Sequence, residues 1–242
     1  RDTQAQTALQ GVAISSAGVI DPYRGTVLHA GPSIPGYLGT ALKPLIEDQC
    51  GLPCSVENDV NAMALGEYWL GAAQNSSSAL CLTLGTGLGG AILLEGKLWR
   101  GANYAAGEIG VCPLGDGRRL EQAASTTALL AAYAGRRGEA IDGRTLFQRL
   151  RAGDSDAASA LEQMLGALTD GLLPAIHLLA PETLLIGGGI AAQHDLIEPR
   201  IRAQLAAKLP AAHFMPKNIR CASLGNRAGM IGALRWFLDS RP

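Results

Sequence analysis

The sequence predicts an α/β protein with a mixed sheet, and three observations carry that prediction. Apolar segments at 79–84 and 90–95 flank the glycine run Gly85-Thr86-Gly87-Leu88-Gly89-Gly90, which reads as an antiparallel hairpin. Further on, strand-like runs at Thr183 to Ile186 and Asn218 to Leu224 alternate with helical ones. Between hairpin and alternation, Leu161, Met164, Leu165, Leu168, Leu172, Ile176 and Leu179 mark one stripe of a long helix over 156–180. Strands alternating with helices after a hairpin give a mixed sheet.

The elements follow in order. Residues 1–10 read as the end of a polar helix, and Gly11 to Gly18 as a buried strand entering a glycine turn. Asp21 to Gly25 is a turn and Thr26 to His29 a short strand. The loop Gly31-Pro32-Ser33-Ile34-Pro35-Gly36-Tyr37 suits a rigid pocket wall and equally an ordinary connector. A helix over 40–50 stops before Gly51, and Cys54 to Glu57 is a strand. The helix from Asp59 to Gly71 is apolar nearly all round and should be buried. Gln74 to Ser78 is linker sequence, which sets an N-terminal lobe at 1–73 and a second lobe over 74–225. That second lobe continues past the hairpin with a Glu95-Gly96-Lys97 turn and a short strand at 97–99. Helices are predicted at 120–134, at 144–151 and over 156–180, the last kinked by Pro174. Gly187-Gly188-Gly189 follows a strand and precedes a helix reaching about 208. The closing helix, 226–239, should turn Met230, Leu234, Phe237 and Leu238 to a core.

The totals exclude several classes. At 242 residues, 48% hydrophobic and 17% charged, the chain suffices for one large domain or two small lobes. A net charge of -1 without a Lys/Arg cluster gives nucleic acid no surface. No apolar run approaches the roughly 18 residues of a membrane span, and the polar start has no signal-peptide core. Five cysteines (Cys50, Cys54, Cys81, Cys112, Cys221) form no CxxC pair, so free thiols in a cytoplasmic protein are expected and no metal site is assigned. The chain lacks an initiator Met, which suggests that it begins partway through a larger protein.

Two stretches carry chemistry. Gly85 to Gly90 matches GxGxxG, but a dinucleotide fold requires a helix next, and Ala91-Ile92-Leu93-Leu94 is strand sequence. The run is then either a structural hairpin or a turn whose open amides and Thr86 hydroxyl receive a phosphate. Asn58 and Asp59 sit at a strand-to-helix junction. Asp59 is either a simple helix cap or a general base, with helix-end charge expected to depress its pKa. A carboxylate beside a phosphate cradle suggests phosphoryl transfer to a hydroxyl. Glu108, among small residues, suits vicinal hydroxyls, and Glu121 opens a helix; each is weak alone. The four histidines, His29, His177, His194 and His213, cluster with nothing visible and receive no role.

Jointly, several strings resemble the ROK family of sugar kinases and repressors, within the actin-like ATPase superfamily. They are Val56-Glu57-Asn58-Asp59-Val60-Asn61-Ala62, Leu84 to Ala91, Ala106-Gly107-Glu108-Ile109-Gly110, Leu120 to Ser125, Ile186 to Ile190 and Gly225 to Ala233. They occur in the family's order along the whole chain. The resemblance implies a two-lobed, ribonuclease H-like fold with sugar in the cleft and ATP on the C-terminal lobe. It implies Asp59 as the base for a hexose 6-hydroxyl, with Asn58, Glu108 and Glu121 on sugar hydroxyls. Gly85, Thr86 and Gly87 would form a phosphate loop, and Gly187, Gly188 and Gly189 the loop near adenosine. Ser33 and Gly36 fall on the sugar-pocket loop. The last helix, 226–242, would cross back to complete the N-terminal lobe.

The departures matter as much. The family's first phosphate loop, of the form DxGGT, lies upstream of a position like Gly11 and is absent from this sequence, so the N-terminal lobe reads as incomplete. A chain truly starting at Arg1 is expected to be unstable or inactive. Many relatives carry a His after the Gly110 position and a CxCGxxGC zinc loop; here stand Val111 and then Cys112 to Arg119, from which no zinc site can be built. Ser33 replaces a frequent Asn and Tyr37 a frequent Trp, which puts the choice of sugar in doubt. Zinc-free relatives include β-glucoside kinases and N-acetylmannosamine kinase-like proteins. The expectation is an ATP- and Mg²⁺-dependent hexose 6-kinase, a homodimer as the family commonly is. The rivals are a non-catalytic sugar sensor and an inactive fragment.

Overall fold

The computed structural model describes residues 9–31 and 34–241. Ser33, and most of the helix end expected at 1–10, lie outside the described residues. The chain opens with β1 (Val12–Ser16), the hairpin β2 (Val19–Asp21) and β3 (Thr26–His29), helix α1 (Leu42–Cys50), β4 (Cys54–Asn58) and α2 (Asp59–Leu70). β1 and β4 pair in parallel, and Ser16 stands opposite Asn58 at the end of the ladder. A second group follows: β5 (Ser78–Leu84), β6 (Leu88–Leu94), β7 (Lys97–Leu98), β8 (Thr183–Gly187) and β9 (Asn218–Cys221). They form one mixed sheet in the order β7–β6–β5–β8–β9, antiparallel at the β5–β6 hairpin and parallel from β5 through β9. The fold is the α/β class the sequence predicts.

Strand alternation decides what lies on each face of this sheet. Leu80, Leu82 and Leu84 point into a core with α5 (Ser155–Leu179) and α6 (His194–Lys208), where Leu161, Leu165, Leu168 and Ile201 meet them. Ala79 and Cys81 point the other way, toward Val60, Met63 and Ala64 of α2. Small residues on that face let α2 lie close, so the helix is buried from Val60 to Glu67.

Several expectations need correction. The helix expected at 120–134 is two pieces, a 3₁₀ turn at Leu120–Gln122 and α3 (Thr126–Arg137). Ser125 separates them because its Oγ caps α3, accepting from the Ala128 amide at 3.1 Å. α4 (Gly143–Arg151) follows as expected, and α5 runs unbroken through Pro174. The final helix, α7 (Ala228–Asp239), turns Phe237 inward as expected, but not Met230, Leu234 or Leu238. It buries Ala228, Gly232, Ala233 and Phe237, whereas Met230, Leu234 and Leu238 are 65%, 44% and 45% exposed. The reason is proximity: a Cβ on Gly232 would collide with the Ala62 carbonyl oxygen, and one on Gly66 with that of Ala228. Helices this close interlock through small residues, which a pattern of large apolar ones cannot reveal. α7 packs on α2, β1 and β4.

Candidate active site

Asp59 is the first residue of α2, and Asn58 is its cap. Asn58 Oδ1 accepts from the amides of Val60 at 2.9 Å and Asn61 at 3.0 Å. Its Nδ2 donates to the Gly18 carbonyl at 2.9 Å and to Asp59 Oδ1 at 3.1 Å. Both lone pairs and both amide hydrogens are thereby engaged. Asp59 Oδ1 also accepts from Val60 N at 3.0 Å, while Oδ2 meets no donor among the described residues. One carboxylate oxygen is fixed and the other is left without a protein donor among the described residues.

The expected depressed pKa is not what the site produces. The Asp59 carboxyl is accessible yet flanked by protein, and that burial pushes its pKa above the usual 3.8. Hydrogen bonds from the Val60 amide, from its own amide and from Asn58 pull it back without cancelling the rise. Loss of hydration outweighs the helix-end charge. Glu108 is raised for the same first reason, with the charges of Asp59 and Glu121 adding to it and His29 opposing. These four side chains therefore share one electrostatic neighbourhood. His29, which the sequence left without a role, ends β3 at its margin.

The glycine hairpin brings the parts together. It is a true hairpin, with Leu84 paired to Leu88 and the Gly85 amide bonded to the Gly87 carbonyl at 3.0 Å. Val60, next to Asp59, occupies the space a side chain at Gly89 would need. Gly90 and Gly107 meet backbone to backbone, which seats the loop carrying Glu108 against the same strand. A Cβ on Gly87 would come 2.9 Å from Glu121 Oε2, so that carboxylate lies against the turn. Half of these glycines serve packing.

Beside the turn opens a cavity of about 640 Å³, lined by Gly85, Thr86, Gly189 and the first turns of α3 and α4. α3 holds the turn: the Thr126 amide donates to the Gly85 carbonyl at 2.9 Å and Thr127 Oγ1 to that of Thr86 at 2.8 Å. Leu130, Phe147 and Ile190 supply apolar walls, with Arg144 and Gln148 at the edge. Of these the sequence marks Ile190 alone, as the end of the Ile186 to Ile190 string; for the rest the Ser125 cap, which fixes where α3 starts, is the available signal. Gly187 and Gly188 stand behind the wall, Gly188 with φ +84° against the Leu84 carbonyl, and Gly189 alone of the three faces the space. Gly36 holds a left-handed turn in the 34–40 loop, φ +72°, and among the described residues no hydrogen bond joins it to Asp59. Tyr37 anchors that loop through a 2.6 Å hydrogen bond with Ser16 Oγ.

A carboxylate oxygen without a protein donor, next to a main-chain turn with a cavity beside it, is an arrangement compatible with a two-substrate kinase site. The chain belongs to the ROK family, whose model matches residues 1–240. A β-glucoside kinase from Klebsiella pneumoniae is 35% identical over 96% of this chain and 80% of its own length. A ROK family glucokinase from Streptomyces griseus, solved with glucose and AMPPNP, superposes with a TM-score of 0.82 at 32% identity, over 95% of this chain and 82% of that one. A ROK family transcriptional regulator, a homologue of the E. coli MLC protein, has a TM-score of 0.83 at 26% identity, over 97% of this chain and 64% of the regulator.

Proposed function

We propose that this protein transfers the γ-phosphate of MgATP to the 6-hydroxyl of a hexose or hexose derivative of the glucose, β-glucoside or N-acetylmannosamine class. It is an ATP-dependent sugar kinase, a reading that the kinase relatives support. The roles of its residues are our reading. The observation that carries them is Asp59, with Oδ1 pinned and Oδ2 without a protein donor among the described residues, next to Val60, which packs on the hairpin at Gly89.

The sugar 6-hydroxyl donates to Asp59 Oδ2 and its oxygen attacks the γ-phosphorus. The O–H proton passes to Asp59 as the bond from phosphorus to the ADP oxygen breaks. Such base assistance is worth roughly 10²–10⁴ in rate, the remainder coming from position and charge. The raised pKa of Asp59 makes it a better proton acceptor than an ordinary carboxylate. Glu108 and Glu121 accept from ring hydroxyls, and Asn58 exchanges its bond to Gly18 for another. Gly36 belongs to a loop that would cover the sugar, and Ser33 is proposed as a sugar-binding residue. The amides of Thr86 and Gly87 and the Thr86 hydroxyl receive phosphate oxygens, with Gly85 closing the turn through its own amide, while adenosine lies along Gly189, backed by Gly187 and Gly188. Mg²⁺, brought in with the nucleotide, would supply charge neutralisation at its phosphates. No three acidic, His or Cys groups among the described residues cluster to hold an ion of their own.

The proposal includes a cytoplasmic homodimer, and among the described residues no helix is long and apolar enough to cross a membrane. ADP release measured with glucose, cellobiose and N-acetylmannosamine tests the function. Sugar-dependent release supports it. Sugar binding without any release would assign the chain to the sensing reading that the regulator relative represents.

A further inference from the structure

Behind the sugar half of the site lies a buried ion pair that the reaction does not use. The Glu57 side chain is 1% exposed and sits one residue before Asn58. Four N–H groups converge on its carboxylate. Oε1 accepts from the Asn58 amide at 2.9 Å and Asn61 Nδ2 at 3.0 Å; Oε2 accepts from Arg100 Nε at 2.9 Å and Nη2 at 2.7 Å. A guanidinium gripping through two nitrogens fixes direction as well as distance, which an ammonium cannot do.

Arg100 is itself held. Its guanidinium stacks on Trp236 of α7 at 4.3 Å, and Tyr23 meets that ring edge-on at 5.9 Å between centroids. Its carbonyl accepts from the Ala106 amide at 3.1 Å, closing a loop that leads straight into Gly107 and Glu108. Across 43 residues of sequence, one side chain joins the strand end bearing Asn58 and Asp59 to the loop bearing Glu108.

We propose that Arg100 is a positioning residue: its grip on Glu57 sets the spacing between Asn58–Asp59 and Glu108, and so the affinity for sugar. The proposal rests on the sugar-kinase reading. Neither Arg100 nor Glu57 touches the nucleotide cavity, so the two ligands separate a positioning role from a merely structural one.

The test is calorimetric titration of the wild type, Arg100→Lys and Glu57→Gln with glucose, cellobiose, N-acetylmannosamine and, separately, AMPPNP. The expected result is a sugar Kd raised about tenfold or more in both variants, with AMPPNP affinity and binding stoichiometry unchanged. Unchanged sugar affinity would overturn the proposal. So would joint loss of sugar and AMPPNP binding in both variants, which would assign the pair to folding. A wild type that binds AMPPNP but none of the sugars would overturn the sugar-kinase reading, and the proposal with it.

Discussion

The two halves of the site are built from different material. The proposed sugar half consists largely of side chains held by side chains, Asn58 on Asp59, Glu57 on Asn61 and Arg100 on Glu57, with Glu57 also taking the Asn58 main-chain amide. The nucleotide half consists of main chain and apolar walls, with Gly85 and Thr86 held by the start of α3 and with Phe147, Leu130 and Ile190 around the space. A side-chain lattice discriminates among ligands differing by one hydroxyl, because an unmatched buried donor or acceptor is costly. A main-chain cradle accepts phosphate whatever it is attached to. On this account, acceptor choice is concentrated in the first half, and substitutions should act on one half at a time.

The largest expected effect sits where the halves meet. Asp59→Asn should lower kcat by about 10²–10⁴ while glucose and AMPPNP binding persist, read by steady-state assay and titration. A loss confined to KM would instead make Asp59 a binding group. Next in size is the α2–α7 contact that supports both halves. Gly232→Val must displace the Ala62 carbonyl, and a stability loss of about 3 kcal/mol or more in urea denaturation is expected, with both ligands affected together. Gly189→Val should be more selective. Its side chain enters open space in the nucleotide cavity and should weaken AMPPNP about tenfold without altering sugar affinity. Weakened sugar binding in that variant would break the division between halves.

The smallest effect concerns stability against pH. Burial raises the folded pKa of Asp59 above its ordinary 3.8, so the folded state holds this proton more tightly than the unfolded chain does. Stability is therefore lost as pH rises from that ordinary value through the raised one. Asp59→Asn should melt higher than wild type at neutral pH, and the gain should shrink as pH falls through the raised value. A gain that grows on acidification would contradict the direction of the shift.

Local chemistry was legible in the sequence, and what closes over distance was not. The junction at Asn58–Asp59 shows itself because an apolar run meets a capping residue, and the hairpin because strand sequence follows Gly90. The sign of the Asp59 shift was missed because the helix-end charge is local, whereas desolvation needs the surrounding cleft. On α7 only Phe237 was legible as inward; the contact of Gly232 with α2 was not, because Gly232 and Gly66 matter by lacking a side chain. Arg100 and Glu57 give no joint signal at their separation, and Phe147 and His29 reach their neighbourhoods only through the tertiary fold.

The central claim is that the cleft presents one hydroxyl, on carbon 6, to Asp59. Phosphorus NMR of the product formed from glucose and ATP, with 6-deoxyglucose run in parallel, tests it most directly. The account predicts a single phosphomonoester on the 6-oxygen, with 6-deoxyglucose binding but giving no product. Phosphorylation of 6-deoxyglucose, or of another glucose oxygen, would contradict it.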